Sequence, residues 1–425
     1  MKLKDIHPNI KLRLGMQFLG GLISMAVIPF LAIYFAQKIG TAVTGIILIL
    51  IVISGVAGGF IGGHISDKIG RRKIMIHSEI GVFSSYLFIA VCNSPWFDLP
   101  YVSALLFVIN MFCGGMFQPA AQAMIIDVTD SDSRKLVFTI SYWLGNLATA
   151  IGGIVGAFLF KTYLFELFIG ISAISLLSVL LTILFISETY TPSHSPELQK
   201  KPNSKNTFLH DFAAVMKDKL FMYYIVGAIL IFSLEQSLTN YIAIRLERDI
   251  PAQSASVLGF DFLIDGTKLL GFLRTENTLL VVILSAAVLF LFKKWKDRWT
   301  LVTGMFVFTV SFSVFAFTNN LWVLFIAMFI GSIGELMYVP IKQAMIGDLA
   351  PSNARSTYMA FYSLTFYGAM IVASLLIIAG QWVSPVMMGA IMMILGLAGT
   401  AFYSVIMKNL ESVGNEAEAE TAVSS

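Results

Sequence analysis

Charge is scarce in this chain. Asp, Glu, Lys and Arg make up 12% of the 425 residues, about half the share a soluble domain carries. That fraction cannot cover a water-facing surface, so a soluble globular protein is excluded. Cysteine is almost absent: Cys92 and Cys113 both lie in apolar runs and offer neither a disulfide framework nor a metal signature. The five His residues form no cluster with Cys or acids. There is no P-loop, no nucleotide-binding cassette and no nucleophile elbow. No cofactor is therefore expected, and energy has to come from an ion gradient rather than ATP. Nor is the chain polar enough to be disordered, with 35 Phe, 14 Tyr and 6 Trp. The net charge of +3 is small, and no nucleic-acid partner is expected. No cleavable signal is expected, because the first apolar run is too long for one.

What is abundant is apolar sequence, 57% of residues. A helix needs about 20 mostly apolar residues to cross the hydrocarbon, and lipid forces backbone groups to pair within it. Twelve runs qualify: 12–37, 42–66, 74–93, 100–126, 136–160, 164–187, 220–244, 275–292, 299–318, 321–346, 356–379 and 383–407. The eighth is the shortest. The predicted class is an all-α integral membrane protein with twelve transmembrane helices in two six-helix bundles. The bundles span 1–187 and 220–408. A Pro- and Ser-bearing polar linker at 188–219 separates them, and an acidic, disordered tail occupies 409–425.

Basic residues set the orientation. With the N-terminus inside, the inner loops hold most of the 28 Lys and Arg, whereas the outer side holds Lys38, Lys161, Arg245, Arg248, Lys268 and Arg274. Both termini are therefore expected in the cytoplasm, with the chain spanning a bacterial plasma membrane as a monomer among lipids.

The ends of spans four and ten repeat one another. Pro119, Gln122, Ala123, Met124, Ile125, Asp127 and Arg134 match Pro340, Gln343, Ala344, Met345, Ile346, Asp348 and Arg355 at one constant offset. Two halves related by an axis along the membrane normal explain this, with a cavity where they meet. A shared helix-end signal is the plainer alternative.

The loop after span two runs Gly62-Gly63-His64-Ile65-Ser66-Asp67-Lys68-Ile69-Gly70-Arg71-Arg72-Lys73. Gly63 suits a close helix approach and Gly70 a tight turn. Asp67 suits pairing with the bases or with a helix N-terminus. Gly63, Asp67, Lys68, Gly70, Arg71 and Arg72 thus read as a conformational latch. Plain positive-inside anchoring explains the bases but neither Asp67 nor the glycines.

This loop resembles the signature of the major facilitator superfamily, Gly-x-x-x-Asp-Arg/Lys-x-Gly-Arg-Arg/Lys. Arg13-Leu14-Gly15, Ala123 to Asp127 with Arg134-Lys135, Tyr142-Trp143 and Gly334-Glu335 ahead of Tyr338-Val339-Pro340 are similar to the drug:proton antiporter branch, in particular to LmrP-type multidrug antiporters. The resemblance covers nearly the whole chain and is weakest over 245–275. It implies export of lipophilic, often cationic, small molecules in exchange for protons.

Carboxylates at membrane depth carry the chemistry of such a pump. Glu335 lies well inside span ten between Gly334 and Met337, and the resemblance gives it a substrate-facing role. Buried, it could take a proton from one side and lose it on the other; ionised, it could attract a cation. Glu235 lies inside span seven, one turn before Thr239, where the resemblance places the acid of that span. Asp127, at the end of span four, is by resemblance a coupling residue beside Asp67; pairing with Arg134 or Lys135 is the structural alternative. Asp67, Asp127, Glu335 and Glu235 are thus the expected proton-coupling set. Glu335, Glu235, Tyr142, Trp143 and Tyr338 are the expected substrate contacts. Ser141 stands where the LmrP pattern has an acid, so one proton site of that pattern is missing. Glu166 is a further candidate acid, and Arg13 either pairs with an acid or snorkels. Small residues at Gly145, Gly152, Gly153 and Gly156 suit a tightly packed gating helix. The main rival is a facilitator-fold carrier for one sugar, peptide or lipid; an embedded enzyme lacks convergent His, Cys or Ser–base groups.

Overall fold

The computed structural model describes residues 8–127, 131–189, 215–257, 260–292, 294–349 and 355–424. The expected linker therefore lies largely outside the described residues. The helices are α1 (Pro8–Val27), α2 (Leu31–Ile39), α3 (Thr41–Ile69), α4 (Arg71–Cys92), α5 (Pro100–Asp127), α6 (Ser131–Leu159) and α7 (Leu164–Phe185), followed by α8 (Lys219–Ser237), α9 (Tyr241–Asp249), α10 (Gly266–Phe292), α11 (Asp297–Val314), α12 (Leu321–Leu349), α13 (Arg355–Ala379) and α14 (Pro385–Ser424). One antiparallel hairpin, β1 (Gln253–Val257) and β2 (Phe260–Ile264), precedes α10.

Among the described residues, eight helical stretches are long and apolar enough to cross a membrane, and Trp143–Leu159 and Leu364–Ala379 are shorter apolar helices. α10 and α11 lie where the eighth and ninth spans were expected. Sequence breakers explain the irregularities. Pro29 sits in the short 3-10 turn Ile28–Phe30 that divides span one into α1 and α2. Span seven breaks after Ser237, and α9 resumes at Tyr241. Span eight is longer than the expected 275–292: its helix begins at Gly266, and Lys268, Arg274 and Glu276 inside it hide its first turns from a hydropathy reading. α14 runs on through the acidic tail to Ser424, where disorder was expected; the stretch 416–420 alternates Glu and Ala, strong helix formers.

By its contacts the chain divides into two compact units. The first comprises Met1–Ser195 with Ala243–Thr278, and the second Pro196–Ile242 with Leu279–Ser425. In the first, α1 packs on α6 and α7, α4 on α5 and α7, and α3 on α5. In the second, α8 packs on α13 and α14, and α11 on α12 and α14. Spans one, three, four, five and six thus pair as spans seven, nine, ten, eleven and twelve do. The repeat seen at Pro119 and Pro340 extends to the packing plan, and each of these prolines lies inside its helix, α5 and α12.

Small residues set how closely the helices approach. A Cβ on Gly62 of α3 would lie 2.5 Å from the Met116 carbonyl of α5, and Gly58 meets Phe112 the same way. In the second unit Gly304 of α11 and Gly334 of α12 abut, each leaving under 3 Å to the other's carbonyl. These contacts bring spans two and four, and nine and ten, to backbone distance.

Candidate functional site: a carboxylate cluster with one lysine

Glu335, Tyr338 and Lys342 sit three and seven residues apart on α12, so they share one helix face. α8 brings Glu235 to the same face. Both glutamates are half-buried, and both act electrostatically on Tyr338 and on Lys342. The Lys342 ammonium lies 5.6 Å from the centre of the Tyr338 ring. Tyr338 is 1% exposed and packs edge-on against Phe308 of α11 at 5.4 Å. Tyr224 of α8 donates a hydrogen bond to the Lys342 carbonyl at 2.8 Å, tying α8 to α12 at this level. Phe232 of α8 and Phe366 of α13 add an aromatic pair 5.8 Å apart. Within the second unit, two acids and one base therefore share an aromatic, partly dehydrated setting in which a charge change on one is felt by the others.

Sequence reasoning named Glu335, Glu235 and Tyr338 but passed over Lys342. Its signal was available: a lysine two turns beyond Glu335 in a run otherwise free of base. Tyr338 thus forms a buried wall of the cluster. Trp143 of α6 is 66% exposed, and the side chain of Tyr142 lies outside the described residues. The side chains of Asp67, in the last turn of α3, and of Asp127, the last residue of α5, also lie outside them.

Around the expected latch, Gly70 takes φ 104° and turns α3 into α4. The first amides of α4, those of Arg71 and Arg72, donate to Glu188 Oε1 and Oε2, each at 3.1 Å. Arg72 Nη2 donates to the Ile183 carbonyl at the end of α7, 2.6 Å away. The bases thus meet the α7 end, and Glu188 is a partner that the sequence reading did not foresee. The tight approach expected at Gly63 falls on Gly62; a Cβ on Gly63 would make ordinary contact with Pro119 at 3.7 Å. Lys68 is exposed.

A second charged group lies at the opposite end of the first unit. Lys161 Nζ is 2.6 Å from Glu247 Oε1 and 3.6 Å from Asp265 Oδ2. Gln37 donates to Glu247 Oε1 at 3.2 Å, and the Thr267 amide and hydroxyl donate to Oε2 at 3.0 and 2.6 Å. Nearby, Gly152 and Gly156 of α6 fit closely against α1, and Gly153 faces Gly271 of α10. Gly145 has open space beside it, and Glu166 is exposed on the first turn of α7.

The Major Facilitator Superfamily profile matches residues 14–292 and 269–424. A Na(+), Li(+), K(+)/H(+) antiporter of Planococcus maritimus is 32% identical over 389 residues, covering 90% of this chain and 92% of that protein. Multidrug resistance protein MdtH of Cronobacter sakazakii is 22% identical over 350 residues, covering 81% and 80%. The crystal structure of peptide transporter POT in complex with sulfate superposes with a TM-score of 0.71 at 15% identity, covering 96% of each chain; at that identity the likeness speaks for the fold. The relatives and the structural neighbours are transporters, not enzymes. The chain belongs to the Major Facilitator Superfamily and is a multi-pass secondary transporter of that superfamily.

Proposed function

We propose that the chain is an alternating-access antiporter that exports lipophilic organic cations in exchange for protons. The observation that carries this reading is the cluster of Glu235, Glu335 and Lys342 against Tyr338 in the second unit. Two acids beside one base leave an unbalanced negative charge when both are ionised, and either a proton or a cationic cargo relieves it. Competition for one charge deficit is the simplest coupling of two fluxes in opposite directions. The aromatic surroundings suit a planar or lipophilic cation. Asp67 and Asp127, at the ends of α3 and α5, complete the coupling set, and Gly70 with Arg71 and Arg72 forms the latch. Both termini lie in the cytoplasm on this reading, as the distribution of Lys and Arg supports. One proton exchanged for one monovalent cation moves no net charge, so the pH gradient drives that exchange; each further proton per cargo adds about 2.3 kcal/mol per 100 mV of membrane potential.

The Planococcus maritimus relative supports a second reading, in which the cargo is an alkali-metal cation. Everted vesicles with an imposed pH gradient separate the two. Ethidium or Hoechst movement driven by the gradient, lost in Glu335→Gln, is the expected result. Collapse of the gradient by Na+, Li+ or K+ but by neither dye selects the second reading. Undiminished dye transport by Glu335→Gln rejects its role in the cluster.

A further inference from the structure

A third acid lies at membrane depth, in the first unit. Glu79 is 7% exposed on α4, eight residues beyond Arg71 and so about 12 Å along the helix from its start. Ser178 of α7 donates to Glu79 Oε1 at 2.8 Å. Glu79 Oε2 is buried without a hydrogen-bond partner, and so is the Oγ1 of Thr182, which faces the same carboxyl one turn along α7. Arg13 of α1, itself 7% exposed, is the charged group coupled to Glu79 among the described residues. Its guanidinium rests 4.8 Å from the centre of the Phe117 ring of α5. α5 also presents the Cys113 thiol, packed against Gly81, two residues beyond Glu79.

We propose that Glu79 is a proton-binding site of the first unit, with Arg13 as its counter-charge and the Ser178 and Thr182 hydroxyls able to serve either protonation state. A hydroxyl both donates and accepts. Toward an ionised Glu79, Ser178 and Thr182 each supply a donor. Once the carboxyl carries a proton, its O–H becomes a donor and Thr182 Oγ1 an acceptor for it. Both hydroxyls can thus meet the carboxyl in either form, a condition that lets a carboxyl switch inside a bilayer. Apolar or purely donating neighbours would hold it in one form. Protonation also releases Arg13 from its counter-charge and leaves it against the Phe117 face. Binding a proton between α4 and α7 thereby loosens the electrostatic tie to α1. Position 141 of the first unit carries Ser, and Glu79 gives that unit a buried acid on a different helix. The site's part in transport rests on the antiport reading above; its titration does not.

Infrared difference spectra of the purified full-length protein in lipid, recorded between acid and alkaline pH, test the site directly. The wild type should show a protonated-carboxyl C=O band that Glu79→Gln removes and Glu79→Asp retains at a shifted frequency. In Arg13→Gln the same band should persist to higher pH, by about one unit or more, because a neighbouring positive charge favours the ionised form. In proteoliposomes, Glu79→Gln should exchange fewer protons per cargo than the wild type. Spectra identical in wild type and Glu79→Gln overturn the proposal. If the wild type moves no protons in either direction, the antiport reading falls while the spectra still decide Glu79.

Discussion

Lys161 and Glu247 stand 86 residues apart in sequence, yet the ammonium and a carboxylate oxygen are 2.6 Å apart. Glu247 also receives the Thr267 amide and hydroxyl, so one carboxylate joins the α6–α7 turn to α9 and to the first turn of α10. The lysine is half-exposed and the glutamate side chain 9% exposed. An ion pair open to water on one side contributes about 0.5–1 kcal/mol. Lys161→Met should therefore lower the melting temperature by about 1–3 °C at neutral pH. The hydrogen bond to Glu247 holds the Lys161 ammonium above its ordinary range, with Asp265 adding to it and partial burial opposing it. A raised folded-state value means that the contribution is complete below the unfolded value of about 10.4 and is lost as pH rises through the folded one. The gap in stability between wild type and Lys161→Met should be flat from pH 6 to 9 and close only above about pH 10. A gap that closes between pH 6 and 8 would assign the effect to another group.

Gly62 and Gly63 are neighbours with opposite expectations. A methyl on Gly62 would press into the backbone of Met116, whereas on Gly63 it would touch the Pro119 ring at ordinary distance. Overpacking a rigid backbone contact costs about 1–3 kcal/mol. Replacing glycine by alanine within a helix, where space permits, gains about 0.5–1 kcal/mol. Gly62→Ala should lose stability in heated size-exclusion runs, and Gly63→Ala should match or exceed the wild type. The reverse order would place the α3–α5 contact elsewhere.

These two glycines also show what can be read from a sequence here and what cannot. The motif announces that some glycine lets α3 approach a neighbour, but choosing between adjacent positions needs the rotation of the helix, which an all-round apolar run does not encode. Pro119 and Pro340 were readable as a repeat because ungapped identity needs no geometry. The start of α10 was not, since Lys268, Arg274 and Glu276 lower the hydropathy of a stretch that is nonetheless helical. Glu79 escaped notice for a related reason. It lies inside the third expected run, 74–93, but near its basic start, and only its 7% exposure and its tie to Ser178 single it out. Glu188 could not have been found at all: its tie to Arg71 and Arg72 joins residues more than a hundred positions apart.

Lys342 offers the sharpest test of the carboxylate cluster. If Glu235 and Glu335 share this one base, removing it leaves two acids of like charge in a partly buried site. Breaking a buried charge group by deleting one member costs about 3–5 kcal/mol when burial is complete, and these half-buried acids should lose less, about 1–3 kcal/mol. Lys342→Met should therefore melt well below the wild type. Adding Glu235→Gln removes one of the two like charges and should recover part of the loss, although Glu235→Gln alone gains nothing. Glu335→Gln should rescue in the same way, because both acids act on the same ammonium. The measurement is a thermal double-mutant cycle in detergent, with an interaction energy of at least about 0.5 kcal/mol expected for each pair. Strict additivity in both cycles would mean that the three residues do not form one electrostatic unit, and the charge competition between proton and cargo would lose its physical basis.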